Sequence, residues 1–226
     1  MKTSKRHTGN LATRSSEAVE VDKGVEMVQR FQGARFDETV EIAIRTGIDP
    51  RQTAQSLRGA FSLPHGIGKK VRVIAFCEGE DAQKAQGAGA IEVGAQELAK
   101  KIQDGWLEFD VAVAHPSMMR HVGKLGRILG PQGKMPSPKA GTVTTEVGRV
   151  VAEFVAGKIE FRNDSGGIIH APMGLRSFSR EQLVENIRSF VGHITSLKPA
   201  AAKGVFIRKI FIKSTMSPSV PIVPGS

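Results

Sequence analysis

The chain has no tyrosine, one tryptophan and one cysteine among 226 residues, and aromatic residues make up only 5%. So few rings give no stacking platform for single-stranded bases. A lone cysteine excludes an intramolecular disulfide, which suits a reducing compartment, and Cys77, at the end of VRVIAFC, reads as a buried inert thiol. No apolar run approaches the roughly 18 residues that a membrane span needs, so no transmembrane helix is expected. The opening MKTSKRHTGNLATRSSEAVE lacks the apolar core of a signal peptide and reads as a basic tail. The histidines at 7, 65, 115, 121, 170 and 193 are scattered, and no H-E-x-x-H or C-x-x-C spacing points to a metal. No G-x-S-x-G nucleophile motif occurs. No G-x-x-x-x-G-K-[ST] phosphate loop occurs either, and GAGAIEVG (87–94) has Glu92 where a dinucleotide fingerprint needs its third glycine. Enzyme chemistry, a metal and a cofactor therefore have no positive support.

What is present is positive charge and a core. Lys and Arg outnumber Asp and Glu by 32 to 22, the pI is about 10.0, and 40% of residues are hydrophobic. A folded protein with a polyanionic partner fits these values. In FDETVEIAI (36–44), Val40, Ile42 and Ile44 alternate with Thr39, Glu41 and Ala43, predicting a strand with one buried face and Phe36 on the buried parity. From 71 to 155 the pattern changes: the buried-type strands VRVIAF and FDVAVA alternate with helical stretches, which implies a small parallel α/β unit. KIEFRND followed by GGIIHAPMG predicts a hairpin. Ser179 and Gln182 form a capping box before an apolar stripe from Leu183 to Leu197. GVFIRKIFIKSTM reads as a last strand, and SPSVPIVPGS as a poorly ordered tail.

Neither chain end carries enough partner layers to bury a core alone. The economical solution joins residues 1–67 and 158–226 into one discontinuous domain and inserts residues 68–157 as a second. Basic residues exceed acidic ones by 10 to 8 in 1–67, 12 to 10 in 68–157 and 10 to 4 in 158–226. The discontinuous domain thus holds most of the net charge, and a polyanion is expected there.

One stretch stands apart. GKLGRILGPQGKMPSPKAGTV (123–143) has five glycines, three prolines, four basic residues and no acid. Such a composition suggests a phosphate cradle, yet no nucleotide spacing accompanies it. Its pattern closely resembles the signature of the L-one family of large-subunit ribosomal proteins. ARFDETVEIAIRTGIDPR (34–51), LRGAFSLPHGIGK (57–69), GKIEFRNDSGGIIHAPMG (157–174) and AKGVFIRKIFIKSTMSPSV (202–220) resemble further blocks of the same family, in order.

The resemblance implies a two-domain α/β fold, with a split β-α-β domain from both chain ends and an inserted Rossmann-like three-layer domain. It implies a non-enzymatic, cofactor-free monomer in the large subunit of cytoplasmic ribosomes. That monomer would bind the stalk region of 23S rRNA, contact exit-site tRNA and, in many bacterial members, bind its own operon mRNA as a repressor. The RNA contacts it carries over are Arg35, Phe36, Thr39, Glu41, Thr215 and Met216, with Arg162, Asn163 and His170 as additions. Ser217 stands where the family often has glycine. Lys124, Arg127, Lys134 and Lys139 are left for a secondary RNA or tRNA contact. The alternative, a nucleotide- or sugar-phosphate-using enzyme built on 68–157, lacks its phosphate motifs.

Overall fold

The computed structural model describes residues 4–224. In chain order its elements are α1 (Lys5–Thr13), α2 (Val21–Arg30), β1 (Thr39–Thr46), β2 (Arg58–Ser62), β3 (Val73–Phe76), α3 (Glu80–Gly87), β4 (Glu92–Gly94), α4 (Gln96–Gln103) and β5 (Val111–Ala114). There follow α5 (Met119–Val122), α6 (Gly126–Leu129), α7 (Val147–Val155), β6 (Lys158–Arg162), β7 (Ile168–Leu175), α8 (Arg180–Ser196), β8 (Ile207–Ser214) and β9 (Val220–Ile222). The chain divides into two compact units, one made of residues up to 69 with those from 159 onward, the other of residues 70–158.

The discontinuous unit is an antiparallel sheet in the order β7-β1-β8-β9 with α2 and α8 on one face. The period of each element explains that layering. Val40, Ile42 and Ile44 alternate inward on β1, and Ile210 and Ile212 do so on β8. Val21, Val25 and Val28 form one stripe on α2, while Leu183, Ile187, Phe190 and Ile194 form another on α8. All of these belong to one buried cluster, and each large side chain contributes about 1.5–3 kcal/mol by leaving water. The Ser179–Gln182 capping box starts α8 as the sequence predicts.

A separate two-stranded sheet pairs β2 with β6. The Arg58 guanidinium donates to Glu160 across it, and Phe161 meets Phe190 edge-on at 5.5 Å. Asn186, which is fully buried on α8, fastens the segment around 65–66 within the discontinuous unit. Its amide donates to the Gly66 and Met173 carbonyls, and its carbonyl accepts from the His65 amide. Gly68 follows with φ of +72° against Phe178, whose ring a side chain there would overlap.

Two expectations are corrected here. β6 and β7 do not form a hairpin. A tight turn at Asp164 links them through the single bridge Asn163–Ile169, and β7 pairs along its length with β1 because its apolar alternation completes that sheet's core. The C-terminal segment is not a loose tail. Val220 and Ile222 are buried, and β9 pairs with β8 while the Val19 backbone joins its other edge. In addition, the basic N-terminal segment contains a helix, α1, capped by Ser4 and pinned by buried Asn10 to both backbone groups of Gln32.

The inserted unit has a parallel sheet in the order β4-β3-β5. Helices α3 and α7 cover one face. The other face is covered by α4, α5 and α6, where Leu98, Ile102, Val122, Leu125 and Leu129 close on Ile74 and Phe76. The glycine- and proline-rich stretch is largely folded into this wall. After α6 it turns back through Gly141, whose φ is +67°, and Val143 then bridges Ala114 at the sheet edge. Buried Thr142 both accepts from the Ser137 amide and donates to its carbonyl.

Candidate nucleic-acid interface

β1 presents Thr39, Glu41, Ala43 and Arg45 on the face away from α2 and α8. In the register, Glu41 lies opposite Lys213, Ala43 lies between His170 and Phe211, and Arg45 lies opposite Lys209. The result is a sheet face mixing cations, a carboxylate and two rings, the imidazole of His170 and the phenyl of Phe211. Glu41 pairs with Lys213 at 3.3 Å while both remain partly exposed.

At one end of this face the two chain ends meet. The Thr39 amide donates to Oγ1 of Thr215 at 3.1 Å, and that hydroxyl faces the Thr39 carbonyl at 3.4 Å. Lys69 Nζ donates to the Thr39 hydroxyl at 2.7 Å. Arg35 is exposed on the segment before β1, and Phe36 and Met216 flank the junction at 56% and 48% exposure. Phe36 is thus not the core residue its parity predicts, because β1 begins only at Thr39.

Beneath the junction lies Glu38, the one buried carboxylate among the described residues, at 1% exposure. It accepts from the Ala34 amide at 2.6 Å, the Ser214 hydroxyl at 2.6 Å and the Met216 amide at 2.9 Å. The Arg176 guanidinium stands 3.5 Å away and also donates to the Gln29 and Phe31 carbonyls. Burial alone would push the Glu38 carboxyl up. The Ser214, Met216 and Ala34 donors and the Arg176 charge together outweigh burial and hold it below the ordinary value. Gly33 lies so close to the Arg176 guanidinium that any side chain there would overlap it.

Ser217 closes the turn after β8. Its hydroxyl accepts from the Ser214 amide at 2.9 Å and turns toward the Pro218 carbonyl, so it faces its own turn. No described non-glycine residue has a positive φ, so a serine fits this position without backbone strain.

The additional candidates lie farther along the fold. His170 is exposed on β7 beside Asp164, at 3.7 Å. The Ile168 and Gly166 amides hold the Asp164 carboxyl below its usual range. Arg162 is exposed at the end of β6. Asn163 accepts from the Leu57 amide at 2.7 Å and donates to the Asp164 carbonyl, which makes it a tie between segments. In the inserted unit Lys124, Arg127 and Lys139 are exposed, whereas Lys134 donates to the Leu107 carbonyl and lies over the Phe109 ring.

The profile of the Ribosomal protein L1p/L10e family matches residues 28–218. The chain belongs to this family. It is 49% identical over 207 residues to the large ribosomal subunit protein uL1 of Kosmotoga olearia, covering 92% of this chain and 90% of the relative. The uL1 protein of Thermus thermophilus is 51% identical over 207 residues, covering 91% and 90%. As a member of a ribosomal protein family the chain is not an enzyme. Among the described residues no helix is long and apolar enough to cross a membrane, and no cluster of His, Cys, Asp and Glu could hold a metal. Burial pushes the thiol of the free cysteine Cys77 up to about 11, which disfavours the thiolate form.

Family motifs pointed to the junction, but several of its members were not singled out from the sequence. Glu38 carried one usable signal, an acid at the parity of Val40 and Ile42. Lys69 carried none, because it reaches the site through a long-range contact.

Proposed function

We propose that this chain is a structural constituent of the large ribosomal subunit that binds folded 23S rRNA directly through its discontinuous unit. The contact is centred on residues 35–41 and 213–217. The supporting observation is the Thr39–Thr215 junction. It brings segments 176 positions apart into one small surface with exposed Phe36, Met216 and Arg35 around it. Hydroxyls and carboxylates there have the chemistry to engage ribose 2′-OH groups, and the flanking cations engage phosphate. The shortage of aromatic residues favours a folded RNA over splayed single strands. The uL1 relatives are named as large-subunit proteins, which agrees with this partner. As a monomer of the ribosomal stalk the chain would also meet exit-site tRNA, with exposed Lys124, Arg127 and Lys139 as the secondary contact. A messenger RNA with the same fold as the rRNA site would compete for the primary surface, which is the basis for repression of its own operon.

The test joins residues 1–69 to 159–226 by a short linker and measures binding to an rRNA fragment carrying the stalk site. Affinity close to that of the whole chain is expected, with a salt slope set by the phosphates neutralised. Binding by an isolated 70–158 fragment alone would overturn the assignment.

A further inference from the structure

The Glu38 carboxylate draws on three separate segments. A carboxylate has about four acceptor positions. Here one oxygen takes the Ala34 amide and faces Arg176, and the other takes the Ser214 hydroxyl and the Met216 amide. The first segment continues into Arg35 and Phe36, and the second carries Thr215 and Met216. The Arg176 backbone completes the frame, since its amide donates to the Glu38 carbonyl at 2.7 Å.

We infer that Glu38 is a positioning residue for RNA recognition, clamping the 34–36 loop to the 214–217 turn so that both present one pre-formed surface. This rests on the RNA-binding reading above and adds to it a residue beneath the surface. A buried ion is a poor way to gain stability alone, because desolvation opposes its attraction to a partner. A buried ion that satisfies donors from two recognition segments fixes their relative geometry. Segments already fixed need not be ordered at the moment of binding, and that ordering is a main cost of association. Glutamine cannot substitute. It offers one acceptor oxygen, and its NH2 group would confront either the Arg176 guanidinium or the Ser214 and Met216 donors.

The test uses the full chain with Glu38→Gln. Binding is measured to an rRNA fragment carrying the stalk site and to random-sequence RNA of the same length. Circular dichroism and thermal melting establish the fold. The expected result is a loss of about tenfold or more for the stalk fragment with random-RNA affinity unchanged, since each mispositioned hydrogen bond weakens only the shaped contact. Glu38→Asp, which keeps the charge on a shorter arm, should recover part of the loss. A folded Glu38→Gln protein that binds the stalk fragment like the parent, or loses both RNAs equally, overturns the inference. If Glu38→Gln does not fold, Ser214→Ala removes one donor without uncovering the carboxylate. It should cost about threefold on the stalk fragment alone, and no loss there overturns the clamp. If the unmodified chain fails to prefer the stalk fragment, the RNA-binding reading itself fails.

Discussion

The two units solve the placement of basic residues in opposite ways. In the inserted unit the most conspicuous basic stretch, 123–143, is local in sequence. Its Leu125, Leu129, Ala140 and Thr142 are buried in the wall of the sheet, and Lys134 is tied to the Leu107 carbonyl. Only Lys124, Arg127 and Lys139 are left facing outward as exposed cations. In the discontinuous unit no single stretch looks like a site. Thr39 and Thr215 are ordinary until folding joins them, and Glu38 then ties their segments together. A glycine-rich basic motif can therefore be architecture, while an unremarkable strand end and a distant turn make the better candidate surface.

This contrast can be broken most sharply through the cores. Phe190→Ala removes a ring that packs on Phe61 and Phe161. It should lower unfolding free energy by about 3–5 kcal/mol, as should Phe154→Ala in the inserted unit. Thermal melts and RNA titrations together read the outcome: Phe190→Ala should weaken stalk-RNA binding, and Phe154→Ala should leave the folded population's affinity unchanged. RNA loss in the Phe154 variant would erase the distinction between the units.

A smaller effect is expected at the junction. Thr215→Val keeps the shape but removes the acceptor for the Thr39 amide. Binding of the stalk fragment should weaken by about 1–3 kcal/mol, with random RNA barely affected. Equal loss on both RNAs would make Thr215 a purely structural residue.

Acid supplies a third probe. The folded Glu38 carboxyl lies below its ordinary value of 4.5, so the unfolded chain binds that proton more readily. Its stabilising contribution is complete above that ordinary value and is lost as pH falls through the folded value. Acid melts of the parent and Glu38→Gln proteins should therefore converge toward low pH. A constant gap down to strong acid would mean that the charge is not what stabilises the junction.

The smallest effect should come from the inserted unit's surface. Replacing Lys124, Arg127 and Lys139 together by Gln should weaken stalk-RNA binding by less than about 1 kcal/mol, and the difference should fade in high salt. A large, salt-resistant loss would move the primary site to the inserted unit.

Much of the fold was legible because periodicity is a local property. The alternation of Val40, Ile42 and Ile44, the α8 stripe from Leu183 to Ile194 and the Ser179 cap appear as read, whereas Leu197, expected at the end of that stripe, caps the helix and is exposed. The strands β2, β4 and β9 were missed because RGAFS, EVG and VPI each contain a Gly or Pro and at most two large apolar residues. The presumed loose tail became β9 because its two apolar residues found a sheet edge to cover. For the site, Phe36 illustrates the limit. Its parity places it inside, but the strand begins three residues later and leaves it exposed.

By itself the sequence determined the charge balance, the apolar faces, the lack of cofactor and metal motifs, and the family blocks. Each depends only on residue type and spacing along the chain. Tertiary structure alone decided that Glu38 is buried, that Lys69 reaches the Thr39 hydroxyl, and that Thr215 meets a strand 176 positions away. The physical reason is that the free energy of a buried charge and its hydrogen bonds depends on partners brought from distant segments. Those partners exist only once the two chain ends have closed on a common core.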